Sequence, residues 1–162
     1  MKVIITGGTI DKQYNHLNGE LVLKDSSIIE MLIQSRISVE TDIETLMLKD
    51  SLEMNDQDRR LVSQACNNSK DKQIIITHGT DTMVETAHTI AADLAQDKIV
   101  VLLGAMVPHH FKGSDALFNL GCAITAVQLL PSGVYITMNG RVFNYRDVKK
   151  NRELGYFEKH CD

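Results

Sequence analysis

Two glycine-bounded turns each present a threonine hydroxyl: Thr6-Gly7-Gly8-Thr9 near the amino terminus and Thr77-His78-Gly79-Thr80-Asp81 at mid-chain. Each follows directly on a run of branched residues. Asp50-Ser51 and Gly104-Ala105-Met106 follow two further runs of the same kind. Two threonines, one aspartate and a nearby lysine or tyrosine are the parts of a nucleophilic site, where a weak hydroxyl needs a base within about 3 Å. Glycine suits such turns because it permits unusual backbone angles and lets a substrate approach the main chain. Taken singly, each residue has an ordinary reading. Thr9 closes a turn, Thr80 is a cap-like hydroxyl, and Asp81 complements the dipole of the helix that follows. Ser51 is a turn residue, Tyr14 a loop aromatic and Lys150 a surface charge. What lifts Thr9, Thr80 and Asp81 above that reading is their joint occurrence after two different strands.

Rival chemistries lack parts. The sequence has no GxxxxGK[ST] phosphate loop, no serine-hydrolase elbow, and no dinucleotide spacing after Gly7-Gly8. No nucleotide cofactor is expected. His109 and His110 are adjacent, with no cysteine or acid at metal spacing in the sequence, so solvated loop histidines and no metal are expected. The run Arg146, Lys149, Lys150, Arg152 reads on its own as a solvated basic face.

The elements that must position these turns are legible. Val3–Thr6, Ile43–Leu48, Ile74–Thr77, Ile99–Leu103 and Val134–Met138 are mostly continuous apolar runs, as strands buried on both faces should be. Ser27 with Glu30, and Thr82 with Glu85, fit the capping box; Asn55 and Ser114 are further candidate caps. Helix faces follow at Val84, Ala87, Ala91 and Leu94, and at Leu117, Leu120, Ile124 and Val127. Asn139-Gly140 marks a hairpin. The segment from Asp11 to Leu21 is polar and reads as a mobile loop or a turn into a short strand; the tail beyond Met138 looks less regular. Strand–helix alternation gives an α/β fold, a mostly parallel sheet with helices on both faces in three layers, as one domain over 1–162. In such sheets ligands bind beyond the carboxyl ends of the strands, where all four turns lie.

Composition narrows the partners. The chain has 162 residues and a net charge of −4, from 17 basic and 21 acidic side chains. That balance disfavours nucleic acid and anionic membrane and suits a small-molecule substrate. No apolar run approaches the roughly 18 residues that span a bilayer, and the opening Met1–Thr6 reads as a strand rather than a signal peptide. Cys66, Cys122 and Cys161 are odd in number and widely spaced, which points to a reducing compartment and a cytoplasmic location. Cys66 and Cys122 are expected as buried helix thiols.

TGGTI (Thr6–Ile10), THGTDTM (Thr77–Met83), LLGAM-x-P (Leu102–Pro108) and RDVxK (Arg146–Lys150) together resemble the bacterial-type L-asparaginases. Order and spacing follow that family's N-terminal domain over nearly the whole chain, and the length is similar to that of short single-domain members lacking a C-terminal domain. The resemblance implies hydrolysis of L-asparagine to L-aspartate and ammonia through a threonine nucleophile and an acyl-enzyme, with no cofactor. It assigns Thr9 as nucleophile, Thr80, Asp81 and Lys150 as the second catalytic group, and Tyr14 as the activator of Thr9. Asp50 and Ser51 fall at the substrate-binding turn, where Ser51 holds the α-carboxylate. Asp81 meets the α-ammonium, and Ala105 lies beside the scissile amide. Two routes for the base stay open: a Tyr14 phenolate acting on Thr9, or a neutral Lys150 acting on Thr80.

The resemblance also carries departures. Leu52 stands where many longer members have a polar substrate contact, so the ammonium falls to Asp81, with Glu53 beside it. The acid and polar groups of a C-terminal domain are missing up to Asp162, so weaker substrate binding is expected. A homo-oligomer, a dimer or higher, is expected to cover the face that domain would occupy. Two other functions compete: a non-catalytic amino-acid-binding module, and an ammonia-releasing subunit of an amidotransferase.

Overall fold

The computed structural model describes residues 1–160; Cys161 lies outside them. In chain order, β1 (Lys2–Gly7) leads through a 3-10 turn (Thr9–Asp11) into β2 (Lys12–Asn15), β3 (Glu20–Leu23) and α1 (Ile28–Gln34). Next come β4 (Asp42–Lys49), a 3-10 turn (Ser51–Glu53), α2 (Asp56–Asn68), β5 (Gln73–Thr77) and α3 (Met83–Ala91). The chain continues with β6 (Ile99–Leu103), α4 (Ala116–Leu129), β7 (Gly133–Met138), β8 (Arg141–Asn144), β9 (Lys149–Asn151) and β10 (Tyr156–Glu158).

Six strands form one sheet in the order β4-β1-β5-β6-β7-β8, parallel throughout except for β8. Because side chains alternate along a strand, each buried run feeds two cores. Ile4, Ile74, Ile76, Val100 and Leu102 pack with α2 and α3 on one face. Val3, Ile5, Ile75, Val101 and Leu103 pack with α1 and α4 on the other. This is the expected three-layer α/β arrangement. Burial of each such side chain is worth about 1.5–3 kcal/mol, so the central strands are the rigid part on which the turns are mounted. Asn139 (φ +50°) and Gly140 (φ +80°) make the hairpin between β7 and β8, a turn that needs positive φ at both central residues.

Several expectations are corrected. Neither capping box forms: Ser27 and Thr82 precede their helices without capping them. The Ser27 N–H is taken by Asp11 Oδ1 (2.8 Å), and the Thr82 hydroxyl donates to the Ser51 carbonyl (2.8 Å). A true box forms at α2, where Asn55 accepts from Asp58 N and Asp58 accepts from Asn55 N, worth about 1 kcal/mol. At α4 the N-cap position falls on Asp115, whose side chain makes no cap bond; the Ser114 hydroxyl accepts from Ala116 N at 3.1 Å. Residues 12–23 form an antiparallel hairpin of β2 and β3: of the two readings, the turn into a short strand holds, and a second strand, β2, precedes the turn. The tail holds a second hairpin, β9 with β10. Cys66 is fully buried, and burial pushes its thiol pKa up to about 12, while Cys122 is only half-buried.

Candidate active site

From β1 the chain runs outward to β4 and then returns to the other side of β1 as β5. The crevice between the carboxyl ends of β1 and β5 is therefore the topological switch point, where open α/β sheets bind ligands. The two threonine turns leave from these two strands. Gly8 adopts φ +93° and ψ −175°, and a Cβ built there would overlap the Gly79 N and Cα atoms. The turns therefore touch main chain to main chain, bringing Thr9, which is half-buried, and Thr80, which is buried, to one crevice. A hydrogen bond from Thr6 Oγ1 to the Thr77 carbonyl (2.7 Å) ties the strand ends together.

Thr80, Asp81 and Lys150 form one hydrogen-bonded set. Lys150 Nζ donates to Thr80 Oγ1 and to Asp81 Oδ1, both at 2.8 Å. The lysine side chain is only 11% exposed, because the β9–β10 hairpin carries it back to the switch point. Arg152 donates to the Asp81 carbonyl at 3.3 Å. The basic run is thus divided between the site and the surface rather than being one solvated face. An Nζ–H that donates to Thr80 Oγ1 leaves the threonine's own hydrogen free for a substrate or water.

Ser51 opens the 3-10 turn after β4. Its hydroxyl is buried and has no hydrogen-bond partner among the described residues. A Cβ at Gly79 would lie 2.5 Å from it, so Ser51 sits directly beneath the Thr80 turn. Asp50 is occupied in holding that turn: it accepts from Leu52 N (3.0 Å) and from Lys12 Nζ (2.6 Å). The Lys12 ammonium keeps the Asp50 pKa below the ordinary carboxylate value.

Ala105 is fully buried. The preceding Gly104 packs so tightly that a Cβ would lie 2.5 Å from the His78 carbonyl and 3.0 Å from Thr80 Cγ2. Asp115 accepts from Met106 N (2.9 Å) and Val107 N (3.0 Å), and Asn119 Nδ2 donates to the Gly104 carbonyl (2.9 Å). These two side chains shape the loop and were absent from the sequence reading; the signal for Asp115 was an acid at a helix start. His78 is the other hidden support. Its Nδ1 lies 2.7 Å from the Gly79 carbonyl, so Nδ1 donates and Nε2 accepts from the Thr86 hydroxyl (2.8 Å). Burial pushes its pKa down to about 4, keeping a neutral ring that braces the turn.

Two hollows are lined by residues singled out in the sequence. One of about 270 Å³ is lined by Asp81, Lys150, Arg152, Glu85 and His88. The other, about 490 Å³, is lined by Gln13, Tyr14, His110, Phe111 and Lys112. Tyr14 is 60% exposed on β2 and belongs to this second hollow, whereas Lys150 lines the first. The His109 ring, expected in solvent, is only 7% exposed and lies near Glu30.

Residues 1–156 match the asparaginase N-terminal family. The chain is 31% identical over 159 residues to "L-asparaginase 2" of Escherichia coli, covering 91% of this chain and 45% of that protein. It is 33% identical over 158 residues to a "Probable L-asparaginase periplasmic" of Haemophilus influenzae, with the same coverages. Its fold superposes on a probable cytoplasmic L-asparaginase from Campylobacter jejuni with a TM-score of 0.84 at 28% identity, over 98% of this chain and 50% of that one. The chain thus spans about half the length of the curated relatives it matches. By the switch-point geometry of its two threonine turns and by the match over 156 residues, the chain belongs to the asparaginase N-terminal family.

Proposed function

We propose that the chain hydrolyses the side-chain amide of L-asparagine to L-aspartate and ammonia, with hydroxyl groups as the reacting parts. The observation that carries this reading is the Thr80–Lys150–Asp81 set, hydrogen-bonded at 2.8 Å beside the turn that bears Thr9. Thr9 Oγ1 attacks the amide carbon, and main-chain N–H groups near Thr9, Thr80 and Ala105 meet the developing oxyanion. The C–N bond then breaks, the nitrogen leaves as ammonia with the threonine proton, and Thr9 is acylated. Water attacks the ester carbon as Thr80 Oγ1 takes its proton and hands its own to the neutral form of Lys150, the hydrogen bond between them reversing. The proton passes on to the Thr9 oxygen as the C–O bond breaks, and aspartate is released. Splitting amide hydrolysis in this way replaces one hard step by two easier ones. Tyr14 serves as the base on Thr9 only when the β2–β3 hairpin turns its exposed phenol inward.

Ser51 takes the substrate α-carboxylate and Asp81 its α-ammonium, with Asp50 holding the serine in place. The free Ser51 hydroxyl supports this part of the reading, since a buried polar group without a partner costs about 1–3 kcal/mol. Ser51→Ala therefore leaves the unfolding midpoint of the free protein unchanged or slightly raised, while KM for asparagine rises about tenfold or more. A destabilised variant with unchanged KM would assign the hydroxyl to folding instead. Glutamine differs from asparagine by one methylene, worth about 1–3 kcal/mol in a pocket, so its turnover is measured in parallel.

Release of ammonia from asparagine by the purified chain, lost in Thr9→Ala, tests the whole reading. Asparagine binding without turnover would favour a binding module. The cysteine usage favours a cytoplasmic location, and no described helix is long and apolar enough to cross a membrane. Exposed Phe118, Leu129 and Val142, on α4 and β8, form an apolar face of the kind that association covers. It supports a homo-oligomer, a dimer or higher, and sedimentation as a monomer at assay concentrations would dispose of it.

A further inference from the structure

Glu30, on the first turn of α1, and His109 and His110, in the loop after β6, meet beside the segment that follows Thr9. Their ligand atoms all lie within 4.8 Å of one another. Glu30 Oε1 is 3.8 Å from His109 Nε2, and Oε2 is 3.8 Å from His110 Nε2. These separations are too long for hydrogen bonds, which close at about 2.7–3.2 Å. They are near the roughly 3.4 Å between neighbouring ligands of a tetrahedral zinc with bonds of about 2.0–2.2 Å. Two imidazoles and a carboxylate are also the donor set of open zinc sites. The His109 side chain is 7% exposed and that of His110 40%, so the cluster has a protein wall on one side and solvent on the other.

The surroundings tie the two ligand-bearing segments together. Ser27 Oγ lies 3.2 Å from His110 Nε2, a contact that an ion on this nitrogen displaces. The buried Asp11 carboxylate accepts from Ser27 N (2.8 Å) and Ser26 Oγ (2.9 Å) through Oδ1, and its Oδ2 has no partner among the described residues. His109 N donates to the Ile10 carbonyl at 3.2 Å. Both ligand-bearing segments are therefore tied to residues 10 and 11, immediately after Thr9.

We propose that Glu30, His109 and His110 bind one divalent transition-metal ion of the zinc class, which staples α1 to the loop after β6 and so steadies the Thr9 turn. The site is separate from the Thr80–Lys150–Asp81 set, and its role is anchoring rather than chemistry. Its sequence signature is weak because the acid and the histidines come from distant segments.

The test is calorimetric titration of the chelator-treated chain with Zn²⁺, and with Co²⁺ for its visible d–d absorption. The expected result is one ion per chain, bound at least about tenfold more weakly by Glu30→Gln and by His110→Ala. The Glu30 and His110 side chains are 61% and 40% exposed, so these variants keep the fold, and His16→Ala serves as a control that binds like the parent. Zn²⁺ binding equally tight in a Glu30→Gln/His110→Ala double variant overturns the site. Hydrogen exchange of residues 9–11, slowed by Zn²⁺ in the parent and not in the double variant, is expected; unchanged exchange overturns the staple.

Discussion

Lys150→Met slows ammonia release from asparagine by about 10²–10⁴-fold, the usual contribution of a positioned proton-transfer group. The lysine nitrogen touches both Thr80 Oγ1 and Asp81 Oδ1, so its loss breaks the relay at its centre. Methionine keeps the apolar stem of the side chain and ends one atom short of the ammonium, so β9 stays packed. Asp81 is 35% exposed and is resolvated by water once its partner is gone. The loss therefore appears mainly in kcat, with little change in the thermal midpoint. Residues that act as one unit are not additive. A Thr80→Val/Lys150→Met double variant is accordingly no slower than the slower single variant. Independent, multiplying losses, or an unimpaired Lys150→Met enzyme, would contradict a shared relay.

Gly8→Ala is the second large effect, and it acts through the backbone. The φ and ψ of Gly8 lie in a region essentially reserved for glycine, where another residue is strained by about 1–3 kcal/mol. The added methyl also overlaps the Gly79 main chain, which has no flexible end to move aside. Together these remove at least about 3 kcal/mol from a total that is about 5–15 kcal/mol for domains of this kind. The midpoint falls by about 10 °C, and turnover is lost because Thr9 and Thr80 are pushed apart. Gly121→Ala is the control: it lies within α4 with nothing within 4 Å of its Cβ, and is neutral or slightly stabilising. A Gly8→Ala protein with the parent's midpoint and turnover would mean that the two turns do not need their tight contact. Thermal unfolding and steady-state kinetics on the three proteins decide it.

The sheet and the helices that cover it were legible because their signals are local. Five runs rich in branched residues, most of them continuous, marked the parallel strands, and glycine-threonine turns after two of them marked the crevice. What stayed hidden is what side chains do across distance. The β2–β3 hairpin carries Lys-Gln-Tyr-Asn on one strand, with little β-branching, so its strand character comes from pairing with residues 20–23. The false capping boxes had the right spacing, but Ser27 N and the Thr82 hydroxyl found long-range partners in Asp11 and Ser51. Lys150 meets Thr80 across 70 residues, and only family resemblance, not spacing, pointed to it. Lys12 on Asp50, Asp115 on the Met106 and Val107 amides, and Glu30 near two histidines leave no periodic trace at all. Tyr14 was named from its place after Thr9, and its exposure on β2 makes hairpin movement part of any role for it.

Two hydroxyls from neighbouring turns acting on one amide is the claim beneath all of this, and a crystal structure of the chain soaked with L-aspartate tests it most directly. The side-chain carboxylate of the product should lie within about 3 Å of both Thr9 Oγ1 and Thr80 Oγ1, with its α-carboxylate on Ser51. Aspartate bound elsewhere, or touching one threonine while the other faces away, would contradict it.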